Sequence, residues 1–264
     1  MHEVKWRFLV SESYDVLRAE YAEYYGEWDA QLDGLLELDP DFLQAHLAML
    51  AAPWRADVLD PKIKHLIGLA VSVSTTHLYR PGVRTHLKAA LAEGATAAEV
   101  MEVFQLVTVI GMHSCNVGVP ILLEELGEVG SQLMAASLTP EQEVVKKRYQ
   151  QRRGNWGPHW EKLVRLSPAF LSAYTDYSMV PWLEGPLEPR VKELIYVAVN
   201  VSATHLYAQG LRVHVRNALE RGATSAEVMA VYELATSLGM HSVAFGVPVL
   251  LEELQVASAG LDRP

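Results

Sequence analysis

Three histidines recur in this chain at a fixed interval. His77, His86 and His113 are matched by His205, His214 and His241 at a constant offset of 128 residues. Imidazole is the one side chain that both takes and gives a proton near neutral pH, so a recurring set of this kind suits acid-base chemistry. Cations accompany two of them: Arg84 and Lys88 flank His86, and Arg212 and Arg216 flank His214. A guanidinium offers a carboxylate a bidentate fork. Tyr79 and Tyr207 come just before the same segments and would bring hydroxyls to the same space. The chemistry these types support is proton transfer on a small anionic substrate. His86, His214, His77, His205, His113 and His241 are the acid-base candidates, and Arg84, Arg212, Tyr79 and Tyr207 the substrate-binding ones. Each has a plainer alternative, since an imidazole beside an apolar helix face often only packs and a basic pair is often only solvated. Retention of the whole set in both copies favours a shared constellation.

No metal is expected, because none of the recurring histidines shows the i, i+4 spacing of a helical zinc motif. The single cysteine, Cys115, has Val243 at its matching position, which excludes dithiol chemistry within the chain. A net charge of −10 argues against nucleic acid as a general partner, where a basic face would be needed. Half the residues are hydrophobic, and Pro and Gly are modest at 13 and 17, so the composition is that of an ordinary globular protein. No uninterrupted run of about 18 or more uncharged apolar residues is present, and Met1 to Arg7 lacks the apolar centre of a signal peptide. A cytoplasmic location without membrane attachment is the expectation.

The elements that must position these residues are also duplicated. The same offset matches Gly26 and Trp28 with Gly154 and Trp156, Pro40 with Pro168, and Pro53-Trp54 with Pro181-Trp182, so each unit is about a whole domain. The units are taken as residues 1–135 and 136–264, each long enough for its own core. Residues 11–25 and 139–152 read as opening helices capped by Ser11 and Thr139, the latter with Pro140 and Gln142 in favourable positions. Irregular aromatic segments follow over 26–40 and 154–168, their tryptophans serving as core plugs or as a pocket wall. Asp60-Pro61 and Glu188-Pro189 start near-continuous apolar helices. Gly82 and Gly210 break the pattern, and a new helix from about Val83 carries His86 on the margin of its apolar stripe. Thr96-Ala97-Ala98-Glu99 and Thr224-Ser225-Ala226-Glu227 are capping boxes that open a long helix in each unit. From Gly94 to Leu126 the copies agree at about two positions in three. No alternating strand pattern or hairpin signal appears, so the chain reads as all-α.

The blocks Asp60 to Val71, His86 to Leu91 and Gly94 to Val100, repeated from Glu188 to Val228, resemble the carboxymuconolactone decarboxylase family, which includes the AhpD-like alkylhydroperoxidases. The resemblance implies two tandem copies of an AhpD-like helical domain, homo-oligomeric assembly through long helices, and sites between helices or subunits. It places His86 and His214 where the family keeps a histidine, with Arg84 and Arg212 two positions before it. Decarboxylase members carry a His-Glu pair shortly upstream; Pro81-Gly82 and Gln209-Gly210 stand there instead, so the expected carboxylate is missing. Peroxidase members carry Cys-x-x-Cys at that place, which makes a thiol peroxidase unlikely here. The implied activity is cofactor-free decarboxylation of a small carboxylated lactone or related aromatic-catabolism intermediate. Both repeats keep the candidate set, so two sites per chain are expected, with sites shared across the internal boundary equally allowed. Another acid-base reaction in the same pocket and a non-catalytic assembly role are the alternatives.

Overall fold

In a computed structural model, which describes residues 4–154 and 156–261, the chain is helical and no strand occurs among the described residues. The first repeat comprises α1 (Val4–Tyr25), α2 (Asp33–Leu38), α3 (Pro40–Arg55), α4 (Pro61–Val73), α5 (Arg80–Ala92), α6 (Ala97–Thr108), α7 (His113–Glu125) and α8 (Glu128–Ala135). The second comprises α9 (Pro140–Arg153), α10 (Pro158–Leu166), α11 (Pro168–Leu183), α12 (Pro189–Val201), α13 (Ala208–Glu220), α14 (Ser225–Thr236) and α15 (Met240–Leu261). Prolines open α3, α4, α9, α10, α11 and α12, where a missing N–H costs nothing. Asp39 and Asp60 cap α3 and α4 through Phe42 N and Lys62 N. The boxes at Thr96, Thr139 and Thr224 form with both reciprocal hydrogen bonds.

Local readings fail in four places. Ser11 lies inside α1 and does not cap it. The aromatic segments are not wholly irregular, since they hold the short helices α2 and α10. Each long helix after the capping box is interrupted by a 3-10 turn, Val109–Met112 or Ser237–Gly239, before His113 and His241. Gly82 and Gly210 do not break a helix; they lie in the first turn of α5 and α13. The chain reverses instead at Leu78 and Leu206, whose φ values of 50° and 45° are unusual for a branched side chain. Ser72 O and Ser74 O, and Asn200 O and Ser202 O, hold these turns by backbone hydrogen bonds. Gly82 is needed for close approach, because a Cβ there would lie 2.7 Å from Ser72 Oγ.

The two repeats do not close separate cores. Leu66, Leu69, Val103 and Leu106 of the first pack with Val191, Ile195 and Val199 of the second, while Ile67 and Val71 join Leu194, Val197 and Val231. The helices after the 3-10 turns cross over: Met240 and Ala244 of α15 enter the α1–α3 core, and Cys115 and Val119 of α7 pack against the α9–α11 core. Thr76 and Thr204, equivalent by the offset, meet at 3.3 Å on the pseudo-twofold axis. A buried ion pair joins the repeats as well, from Lys192 Nζ on α12 to Glu102 Oε1 on α6 at 2.6 Å.

Two stretches, Ala97–Glu125 and Ser225–Ser258, have the length and apolar composition of a membrane span. Gln105, Thr108, His113, Ser114 and Asn116 interrupt the first, which is why no unbroken apolar run is visible in sequence. Much of α6 and α14 is buried in the shared core, whereas α7 and α15 leave matched apolar residues exposed: Val117 and Phe245, Ile121 and Val249, Leu122 and Leu250.

Candidate functional site

On α12, Glu193, Tyr196 and Asn200 share one face by their i, i+3, i+7 spacing, and it meets Gly210, His214 and Asn217 of α13. Glu193, 2% exposed, sits 2.8 Å through Oε2 from His214 Nδ1. Its other oxygen accepts from Asn217 Nδ2 at 3.2 Å and Arg221 Nε at 3.4 Å. These partners fix the carboxylate, and the carboxylate fixes the imidazole with its Nδ1–H inward. Nε2 is left as the nitrogen that works on a substrate. The ring of His214 lies 4.4 Å from that of Tyr196.

This pair stands on the wall of a cavity of about 880 Å³ lined by Trp156, Trp160, Trp182, Tyr174 and Tyr207, among others. Arg153, at the end of α9, also lines it. Burial raises the Tyr149 and Tyr196 phenols well above their ordinary value, and the Arg153 charge offsets part of this. Arg153 Nε is buried without a hydrogen-bond acceptor, so the guanidinium keeps donor capacity. Arg216 stands at the exposed part of the lining. The first repeat reaches this wall too: His113 Nδ1 is 2.7 Å from His205 Nε2 and its ring stacks on Tyr207 at 4.0 Å.

The equivalent place in the first repeat is built differently. His65 stands at the position of Glu193, and its Nδ1 is 3.4 Å from His86 Nδ1. Tyr25 replaces Arg153 and packs on His86 with ring centroids 5.6 Å apart. Gly68 replaces Tyr196, and a Cβ on it would lie 2.3 Å from the His86 ring, so the imidazole has retracted onto the bare backbone. The remaining cavity is about 40 Å³ and also touches Tyr21, His46, Tyr79 and His241. His241 Nδ1 is 2.7 Å from His77 Nε2. Among the described residues, no three His, Cys, Asp or Glu side chains converge as metal ligands.

A model of the carboxymuconolactone decarboxylase family matches residues 40–112 and 168–250, more than half the chain and once in each repeat. The chain belongs to the carboxymuconolactone decarboxylase family. The crystal structure of a Burkholderia xenovorans LB400 protein provisionally named a gamma-carboxymuconolactone decarboxylase subunit superposes with a TM-score of 0.88 at 41% identity, covering 92% of this chain and 98% of that one. No curated protein matches. The tandem reading and the all-α fold class are both established by these likenesses and by the helices.

Within this family member the sequence-derived candidates separate into groups. His214 and Tyr207 line the large cavity, and His86, His241 and Tyr79 line the small one. His77 and His205 do not pair with His86 and His214; each bonds the crossing histidine of the other repeat. Arg84 and Arg212 line neither cavity and are exposed. Two residues along a helix is about 200° of rotation, which carries these guanidinium groups away from the imidazoles they precede. Lys88 is engaged by Glu27. The missing carboxylate is present after all in the second repeat, supplied by Glu193 from the preceding helix and not from the segment before His214. Sequence reasoning missed Glu193, Arg153, Asn217 and His65.

Buried histidines around both cavities are expected to make the protein acid-sensitive. Burial lowers His46 and His65 to about 4 and His86 and His241 to about 3, and it lowers His77 as well. It also lowers His113 to about 4, and it lowers His159 and His205. The unfolded chain titrates these groups near 6.5, so above that pH their contribution to stability is complete. As pH falls below it, unfolded chains take up protons that the fold refuses, and stability is lost progressively toward the folded values. The thermal midpoint is expected to drop between about pH 6.5 and 5, where most carboxylates remain ionised. His65→Leu should flatten that slope; an unchanged slope would mean that these imidazoles are not the groups responsible.

Proposed function

We propose that this protein is a cofactor-independent carboxy-lyase acting on a conjugated carboxylated lactone or a related carboxylate, with His214 as proton donor. The observation that carries the reading is the Glu193–His214 pair at 2.8 Å on the wall of a cavity that also holds the Arg153 guanidinium. Decarboxylation beside a conjugated carbonyl breaks a C–C bond, releases CO₂ and leaves the electron pair as an enolate. A cation must orient the anion, and an acid must return one proton to carbon. Arg153 takes the first task in place of Arg84 and Arg212. His214, protonated at both nitrogens, gives the Nε2 proton to carbon, and Glu193 balances the imidazolium before transfer. Solvent then restores the proton. The cavity of about 880 Å³ leaves room for substrates bulkier than a single lactone ring. The exposed apolar residues shared by α7 and α15 support homo-oligomeric assembly of the chain.

Purified protein assayed against carboxylated muconolactones and bulkier conjugated keto-acids is expected to release CO₂ from at least one. Arg153→Gln should then raise KM by about 10- to 100-fold, as expected for losing a charge-assisted pair, with a smaller change in kcat. No CO₂ from any of these acids would count against the lyase reading.

A further inference from the structure

We infer that each chain carries one catalytic site, in the second repeat, and that the first repeat's equivalent cavity is a scaffold too small to bind substrate. The inference rests on the anion site proposed above and refines it.

It is carried by what stands at paired positions. In the second repeat Arg153, Glu193, Asn217 and Arg221 form or flank the network around His214. Their counterparts at the offset of 128 are Tyr25, His65, Ala89 and Glu93. Tyr25, His65 and Ala89 bring neither a carboxylate nor a guanidinium to His86, and Glu93 is exposed at the end of α5. Among the described residues no Arg or Lys lines the first cavity, whereas Arg152, Arg153, Arg216 and Arg221 line the second, so an anion finds no counter-charge in the first. Space decides the matter independently. A volume of about 40 Å³ has room for a few water molecules at most and no lactone. His86 is buried, whereas His214 is partly exposed and lines the large cavity. Arg153 and Tyr25 both lie outside the segments matched by the family model, so the anion anchor comes from a part of the chain that the family pattern does not prescribe. The first repeat still contributes to the working site, because α7 brings His113 across to position His205 and Tyr207.

The test is calorimetric titration of the intact protein with cis,cis-muconate, a conjugated dicarboxylate. One muconate bound per chain, abolished by Arg153→Tyr, is the expected result. Two per chain, or one that survives Arg153→Tyr, would overturn the single-site inference while leaving an anion-binding lyase possible. No uptake at millimolar muconate would remove the anion site itself, and both readings with it. In turnover, His86→Gln is expected to stay within about twofold of the native rate while His214→Gln loses about 100-fold or more. Equal losses in the two variants would contradict the inference, and the native stoichiometry decides should the His86 variant not fold.

Discussion

Glu193→Gln is expected to lower turnover by about 10²- to 10⁴-fold with little change in substrate affinity. The amide keeps the shape of the carboxylate but carries no charge to balance an imidazolium. It can also present N–H to His214 Nδ1, which would hold the ring as the neutral Nε2–H tautomer, a far weaker acid than the imidazolium. Because Glu193 and His214 act as a unit at 2.8 Å, the double variant Glu193→Gln/His214→Gln should be no slower than the worse single one. Steady-state kinetics of the four proteins, with circular dichroism to confirm folding, checks this. Additive losses, or a drop of less than about threefold for Glu193→Gln, would mean that the pair is structural.

The second large effect is on stability and falls at the joint between the repeats. Glu102 is 1% exposed, accepts Leu187 N at 2.7 Å and pairs with Lys192 Nζ at 2.6 Å. Lys192 also donates to Pro181 O at 2.6 Å, but no other carboxylate is paired with it among the described residues. Glu102→Ala therefore strands a buried ammonium and a buried N–H, and should cost about 3–5 kcal/mol. Urea unfolding followed by tryptophan fluorescence reads this as a large fall in midpoint. Adding Lys192→Met should recover much of the loss, since an apolar replacement of both partners removes the stranded charge. A fall of under about 1 kcal/mol for Glu102→Ala would show that Lys192 reaches solvent or another partner.

What could be read in the sequence was what is decided locally. Thr96, Thr139 and Thr224 cap their helices because hydroxyl and carboxyl or amide lie three residues apart, a relation any sequence displays. Pro61 and Pro189 start the central helices for an equally local reason. The crossing of α7 and α15 was not legible. It depends on each 3-10 turn sending its helix to the other repeat's core, and only that crossing pairs His113 with His205 and His77 with His241. Gly82 was misread as a break because a glycine required by a neighbour's closeness looks the same, in sequence, as one required by a turn.

The site itself was half legible, for a different reason. Aligning the repeats by identity selects what both retain, which besides His214 is largely scaffold: His77, His205, His113 and His241 hold the crossing together. The chemistry lies where the copies diverge. His65 against Glu193, and Tyr25 against Arg153, stand in the same alignment and would have marked the second repeat as the charged one. Arg84 and Arg212 are near His86 and His214 in sequence but not in space, because a helix turns neighbours two apart onto different sides.

Proton return by His214 can be observed directly by running the reaction in D₂O and examining the product by NMR. The account predicts one deuterium of a single configuration on the carbon that lost CO₂, formed rapidly by the native protein and by His86→Gln and slowly by His214→Gln. Deuterium in both configurations, or the same rate and stereochemistry with His214 replaced, would contradict it.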